Sequence, residues 1–222
     1  MYDYISHNPE TDRTTEHERP SWWTQASDAL SNSDPVMAGL VERYPDIQLR
    51  TRGAAFATLA RSIVSQQISV KAAESIWNRL IAVCECSPLG IIGASEAGHL
   101  QTCGLSVRKQ EYLVDLAQQC ANGRLDIPNW QQADDETVVA TLTTIRGIGR
   151  WTAEMFLIFN LRRPDVFPVD DIGMQRALSR YYFDGKHIPL ARIRDWGEQR
   201  RPWRTAATCY LWRSLDPIAV AY

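Results

Sequence analysis

Apolar residues in this 222-residue chain recur at spacings of three and four in one segment after another, and that period belongs to helices rather than strands. Trp22, Ala26, Ala29 and Leu30 form the first such stripe, and Val36, Met37, Leu40 and Val41 form the next. Phe56, Leu59, Ile63 and Val64 follow, then Val70, Ala73, Ile76, Trp77 and Leu80. Later stripes are Tyr112, Leu113, Leu116 and Ala117; Val138, Val139 and Leu142; Phe156, Leu157 and Phe159; Ala177, Leu178 and Tyr181; and Ala206, Cys209, Tyr210 and Leu211. Asp34-Pro35 supplies a cap and a first helical residue for the second stripe. Strand-like alternation is confined to Val166-Phe167-Pro168-Val169, which is short and broken by proline. The pattern predicts an all-α fold, with Trp77 and Trp203 in the core.

Residues 1–20 are polar, charged and aperiodic, and are expected to form a disordered tail. They contain no apolar h-region, and no run of 18 apolar residues occurs anywhere, so the expectation is a cytoplasmic protein without a membrane span. The five cysteines, Cys84, Cys86, Cys103, Cys120 and Cys209, match no zinc or iron–sulfur spacing and are read as free thiols. His7, His17, His99 and His187 are scattered, so no metal site is expected.

The net charge of −2 argues weakly against a polyanion as partner, but its distribution is uneven. Residues 140–222 carry 13 Lys+Arg against 8 Asp+Glu, whereas residues 1–139 carry 11 against 18. That asymmetry permits a basic face on the C-terminal part.

Two local constellations carry the chemistry. The first is Leu142-Thr143-Thr144-Ile145-Arg146-Gly147-Ile148-Gly149-Arg150-Trp151-Thr152-Ala153, a Gly-Ile-Gly turn between two helical runs. Two glycines allow positive φ and leave backbone N–H groups uncovered, and the second helix adds its own unpaired N–H groups and positive dipole end. Such a turn is an anion site that a nucleic-acid phosphate fits, with Ile148 plugging the core and Arg146 and Arg150 adding charge. The second is Pro168-Val169-Asp170-Asp171-Ile172-Gly173, where an extended, proline-fixed segment enters a new helix. One of the two aspartates is expected to cap that helix.

Together these motifs closely resemble the helix-hairpin-helix (HhH-GPD) DNA glycosylase superfamily, in which a Gly-x-Gly hairpin precedes a Pro-Val-Asp-like segment by about twenty residues. The form Pro-x-(Asp or Gly)-Asp-(Leu or Ile)-Gly is that of its 3-methyladenine DNA glycosylase II branch, and the likeness runs from about Trp22 to Trp212. It implies Asp171 as the catalytic carboxylate, with Asp170 as the alternative. Breaking an N-glycosidic bond builds positive charge on the sugar, which a fixed carboxylate stabilises while orienting the attacking water. Bifunctional relatives resembling endonuclease III carry a lysine where this chain has Trp151, so the resemblance implies water as nucleophile and no strand-cleaving lyase step.

The same resemblance implies further roles. Trp151, Met155 and Trp212 would line the base pocket, where an indole face attracts a cationic alkylated purine by roughly 0.5–2 kcal/mol. Gln67, with Ile68 beside it, matches the wedge that fills the gap left by an extruded base. Ser106, Arg108 and Lys109 match a loop near DNA and are candidate phosphate contacts, together with Gly147 and Gly149. The implied architecture is two helical lobes with the active-site cleft between them. Residues 21–54 would join 166–222 in one lobe, and 55–165 would form the central lobe with the hairpin at about 135–160. The implied partner is duplex DNA containing alkylated bases, acted on by a monomer. No cofactor is required, and the family leaves room for a monovalent cation at the hairpin carbonyls. Two other readings remain open: a glycosylase for oxidised or mismatched bases, and a non-catalytic hairpin module that only binds DNA.

Overall fold

The computed structural model describes residues 19–47, 49, 54–125 and 127–215. Among them are eleven α-helices, two 3-10 helices at His99–Cys103 and Ile127–Gln131, and no strand. The chain is therefore all-α, and none of its described helices is long and apolar enough to cross a membrane. It divides into two compact units, one built from Met1–Thr51 with Arg162–Tyr222 and the other from Arg52–Leu161.

The discontinuous unit holds α1 (Trp23–Ser33), α2 (Pro35–Arg43), α9 (Ile172–Tyr182), α10 (Leu190–Glu198) and α11 (Arg204–Leu215). In it, α11 packs on α1, α2 and α9. The core face of α1 is Trp23, Ala26, Ser27 and Leu30; Trp22 itself lies before the helix, half-buried, and stacks on Trp203 at 6.3 Å. Trp203 is thus a half-buried lid rather than a core residue. Asp34 caps α2, its Oδ1 accepting from Val36 N–H at 2.9 Å and Met37 N–H at 3.2 Å, with Pro35 at the first turn. Its Oδ2 accepts from the Tyr182 hydroxyl at 2.8 Å and from Arg200, which lies 4.0 Å over the Trp196 ring. That buried knot joins α2, α9 and α10.

Residues 162–165, assigned by the sequence to the central lobe, belong to this unit. Trp22 Nε1 donates to Arg162 O at 3.0 Å, Thr205 Oγ1 to Arg163 O at 2.6 Å, and Arg204 and Arg201 clamp Asp165. The expected tail lies outside the described residues up to position 18, while Pro20 is buried and accepts from Trp23 N–H at 2.9 Å.

The continuous unit holds α3 (Ala55–Ser65), α4 (Val70–Val83), α5 (Pro88–Glu96), α6 (Val107–Ala121), α7 (Asp135–Thr143) and α8 (Arg150–Phe159). Helix α3 packs on α4, α6 and α8, and α5 packs on α6. Seven consecutive residues of α8, Ala153 to Phe159, are buried, so this helix runs through the unit's core and its N-terminal turn is set by that packing.

Candidate functional site

Helices α7 and α8 form the hairpin, with the turn at residues 144–149. Asp134 caps α7 through Thr137 N–H at 2.9 Å. Ile148 is 4% exposed and Ile145 1%, so the turn is pinned through its apolar residues. The two glycines serve different purposes. Gly147 has φ +87°, and a Cβ there would meet Tyr112 Cδ2 at 2.1 Å: both the backbone and the ring laid over it require glycine. Gly149 has φ −94° and ψ 173°, which any residue adopts, and a Cβ there would meet nothing within 4 Å. It is nevertheless the N-cap of α8, exposed, with no side chain capping the helix. A bare backbone at a helix N-terminus is the surface an anion approaches.

The hairpin arginines do not add the free charge expected of them. Arg146 Nη2 donates to Glu111 Oε2 at 2.9 Å, and its backbone N–H donates to Asp115 Oδ2 at 2.8 Å. Arg150 forks onto Glu136 and reaches Glu154 Oε1 at 3.1 Å; in return its guanidinium holds the Glu136 carboxyl below its usual range. These partners are 4 to 35 residues away, so a local count of cations overstated the field.

Around the hairpin, the loop between α3 and α4 is held by side chains. Gln66 Nε2 donates to Gly147 O at 2.7 Å. Lys109 Nζ donates to Val64 O at 2.7 Å and Gln66 O at 2.8 Å, and burial pulls its ammonium below its ordinary value. Lys109 accordingly braces the loop. Gln67 sits at φ +56°, and both Gln67 and Ile68 are exposed, so the wedge candidates project from a tethered, strained turn. Ser106 caps α6 through Lys109 N–H at 3.3 Å, and exposed Arg108 donates to the Tyr112 hydroxyl with its cation 5.4 Å from the ring. The sequence carries no local signal for the roles of Gln66 and Tyr112: Gln66 stands next to the wedge candidate Gln67, and Tyr112 belongs to the apolar stripe of its helix. Trp151, in the first turn of α8, is 40% exposed, and Met155 one turn on is 6% exposed.

In the other unit, the two aspartates part company. Asp170 is exposed, whereas Asp171 is 6% exposed and caps α9. Its Oδ1 accepts from Met174 N–H at 2.6 Å and from Trp212 Nε1 at 2.7 Å. Gly173 keeps this corner open, since a Cβ there would lie 3.2 Å from Asp171 Oδ1 and 3.4 Å from Trp212 Cδ1. Trp212 is 4% exposed, so its ring is not the open stacking face the sequence suggested; its N–H instead fixes the carboxylate. The result is a buried carboxylate held by charge-assisted hydrogen bonds at a helix N-terminus.

On this all-helical scaffold the bare helix N-terminus at the hairpin suits an anion, and the fixed buried carboxylate suits a developing positive charge, features fitted to a protein that acts on the nucleic-acid backbone and its sugars. The model of the HhH-GPD superfamily base excision DNA repair proteins matches residues 60–194. DNA-3-methyladenine glycosylase 1 of Schizosaccharomyces pombe is 34% identical over 182 residues, covering 79% of this chain and 78% of that protein. The crystal structure of DNA-3-methyladenine glycosidase from Bacillus halodurans superposes with a TM-score of 0.78 at 32% identity, over 90% of each chain. The Schizosaccharomyces pombe 3-methyladenine DNA glycosylase in complex with abasic DNA gives 0.74 at 29%, covering 89% of this chain and all of that one. The chain belongs to the HhH-GPD superfamily of base excision DNA repair proteins.

Proposed function

We propose that this protein is a monofunctional DNA glycosylase that hydrolyses the N-glycosidic bond of alkylated purines of the 3-methyladenine and 7-methylguanine type in duplex DNA. The observation that carries the reading is Asp171, buried and held by Met174 and Trp212 N–H groups at the start of α9. In the proposed reaction the hairpin takes a backbone phosphate at the N-terminus of α8. Gln67, with Ile68, fills the stack as the damaged nucleotide leaves it. The alkylated base already carries positive charge. As the C1′–N bond breaks, its electron pair moves onto the base, which departs neutral, and the charge passes to the sugar. The Asp171 carboxylate stabilises that oxocarbenium character; water adds at C1′ and its proton leaves through the carboxylate or solvent. The half-open face of Trp151 attracts the cationic base, and Met155 lies one turn further along α8.

Trp151 has no amine, so no Schiff base forms and no lyase step follows. The protein acts as a monomer and needs no cofactor for this hydrolysis. A monovalent cation at the hairpin carbonyls is a secondary part of the proposal. Carbonyl oxygens suit such an ion; Gly147 O accepts from Gln66 at 2.7 Å and Ile145 O from Ile148 N–H at 3.1 Å, leaving each a second lone pair. Replacing K⁺ by a bulky organic cation at equal ionic strength should then weaken DNA binding.

The test is base release from methylated duplex compared with oxidised and uracil-containing duplexes, with borohydride present in a parallel set. Release of 3-methyladenine and 7-methylguanine without a covalent adduct supports the reading. Preference for oxidised or mismatched bases, binding without release, or a trapped adduct overturns it.

A further inference from the structure

Most arginines near functional elements of this protein are already matched with carboxylates. Arg146 pairs with Glu111, Arg150 with Glu136 and Glu154, Arg200 with Asp34, and Arg201 and Arg204 with Asp165 and Glu198. Helix α9 is different. Arg176 and Arg180 stand one turn apart on its exposed face, and neither has a carboxylate partner among the described residues. With Lys186 and His187 they line a shallow concavity of about 450 Å³ whose lining contains no aspartate or glutamate. The loop that brings Lys186 and His187 alongside is fixed to the helix: Gly185 N–H donates to Ser179 O at 2.9 Å and Ser179 Oγ to Lys186 O at 2.7 Å. Asp184 meets Lys186 only at 3.8 Å, with both side chains mostly exposed.

Like charges one turn apart repel, so this face costs the isolated protein something and gains only when a polyanion covers it. The same helix is capped by Asp171. At 1.5 Å per residue, Arg176 lies about 7 Å and Arg180 about 13 Å along the axis from that cap. At 3.4 Å of duplex axis per nucleotide, that length equals roughly two to four steps. Ile172, 64% exposed, begins the same face beside the cap and lines the concavity with the two arginines.

We propose that the exposed face of α9, through Arg176, Arg180, Lys186 and His187, is a second DNA contact that takes backbone phosphates flanking the excised nucleotide. The position of those phosphates beside the excised nucleotide rests on the glycosylase reading of Asp171; the contact itself is read by binding alone.

The experiment compares the wild type with the R176A/R180A double variant, on undamaged duplex over a range of salt and on methylated duplex in single turnover at saturating enzyme. Each lost phosphate contact lowers the slope of log K against log salt by about 0.9, so the double variant should lose nearly 2 from the slope and bind roughly tenfold more weakly near 0.1 M salt. Saturated single-turnover release should stay at the wild-type rate, and R176K/R180K should recover most of the slope. Trimming the duplex by several flanking pairs should weaken the wild type and leave the double variant unmoved. An unchanged slope and affinity in the double variant overturns the inference, including the case in which the face serves an acidic protein. A wild type that releases no alkylated base yet shows the slope change removes the glycosylase reading and leaves this contact standing. Normal release with no slope change does the reverse.

Discussion

The two hairpin glycines should respond oppositely to the same substitution. In Gly147→Ala the new side chain enters a backbone with φ +87°, which costs an L-residue roughly 1–2 kcal/mol. Its Cβ would also lie 2.1 Å from Tyr112 Cδ2, an overlap that the ring relieves only by moving, and overpacking of this kind costs about 1–3 kcal/mol. The expected loss is therefore about 2–5 kcal/mol, read as a shift of the urea midpoint at unchanged slope. In Gly149→Ala neither term exists, because the backbone is extended and the space is open. Only the weaker N-cap preference of alanine remains, worth about 1 kcal/mol or less. That variant should keep its fold and lose DNA affinity, since the methyl group occupies the bare face offered to a phosphate. A double-mutant cycle isolates the steric part: Tyr112→Ala should recover about 1–3 kcal/mol in the Gly147→Ala background while leaving the backbone strain. Strict additivity of the Tyr112 and Gly147 substitutions would refute the packing argument. Equal stability losses at the two glycines would refute the division of labour between them.

Three further outcomes are expected. Asp34→Asn breaks a buried pair with Arg200, whose side chains are 8% and 12% exposed, and should cost about 3–5 kcal/mol in chemical denaturation. Burial pushes the Asp34 carboxyl up, but Arg200, Tyr182 and two backbone N–H groups outweigh it and hold it below its ordinary 3.8; its contribution is thus present above about pH 3.8, is lost as pH falls through the folded value, and should vanish from the acid limb of the variant's stability profile. Trp212→Phe removes an N–H donor from the Asp171 carboxylate and should lower kcat at least tenfold with KM for DNA little changed, a split that simple unfolding does not produce. Lys109→Met should cost about 1–3 kcal/mol and slow base release while leaving the salt slope of DNA binding unaltered, because its ammonium bonds the carbonyls of Val64 and Gln66.

Periodicity carried most of the helical scaffold, because α-helices bury a stripe whose spacing is visible locally. Asp34-Pro35 announced α2, yet the same signal in Ser87-Pro88 opens α5, which went unread because its stretch of Leu, Ile, Gly and Ala lacks a sharp polar face. Helix α10 was also missed: Ile193 and Trp196 are its buried anchors, set among Arg192, Arg194 and Asp195. At the site, the resemblance gave the hairpin and chose Asp171 with Asp170 as the alternative, and burial sets the two apart, Asp171 capping α9 at 6% exposure and Asp170 standing exposed. What stayed illegible is long-range pairing. Tyr112 covers Gly147 from 35 positions upstream, Trp212 reaches Asp171 across 41, and Glu111 neutralises Arg146 across 35. No local pattern encodes such partners, so cations near a motif were counted as free and an aromatic near a motif as open.

Base release depends most directly on the charge of one carboxylate. Asn at position 171 keeps an oxygen to accept from Met174 and Trp212, so stability should change by only about 1 kcal/mol and affinity for duplex should hold. Single-turnover release of 3-methyladenine from methylated DNA should fall by about 100-fold or more, the usual scale for removing one preorganised electrostatic group. Release at the wild-type rate by a folded, DNA-binding Asp171→Asn protein would contradict the assignment outright.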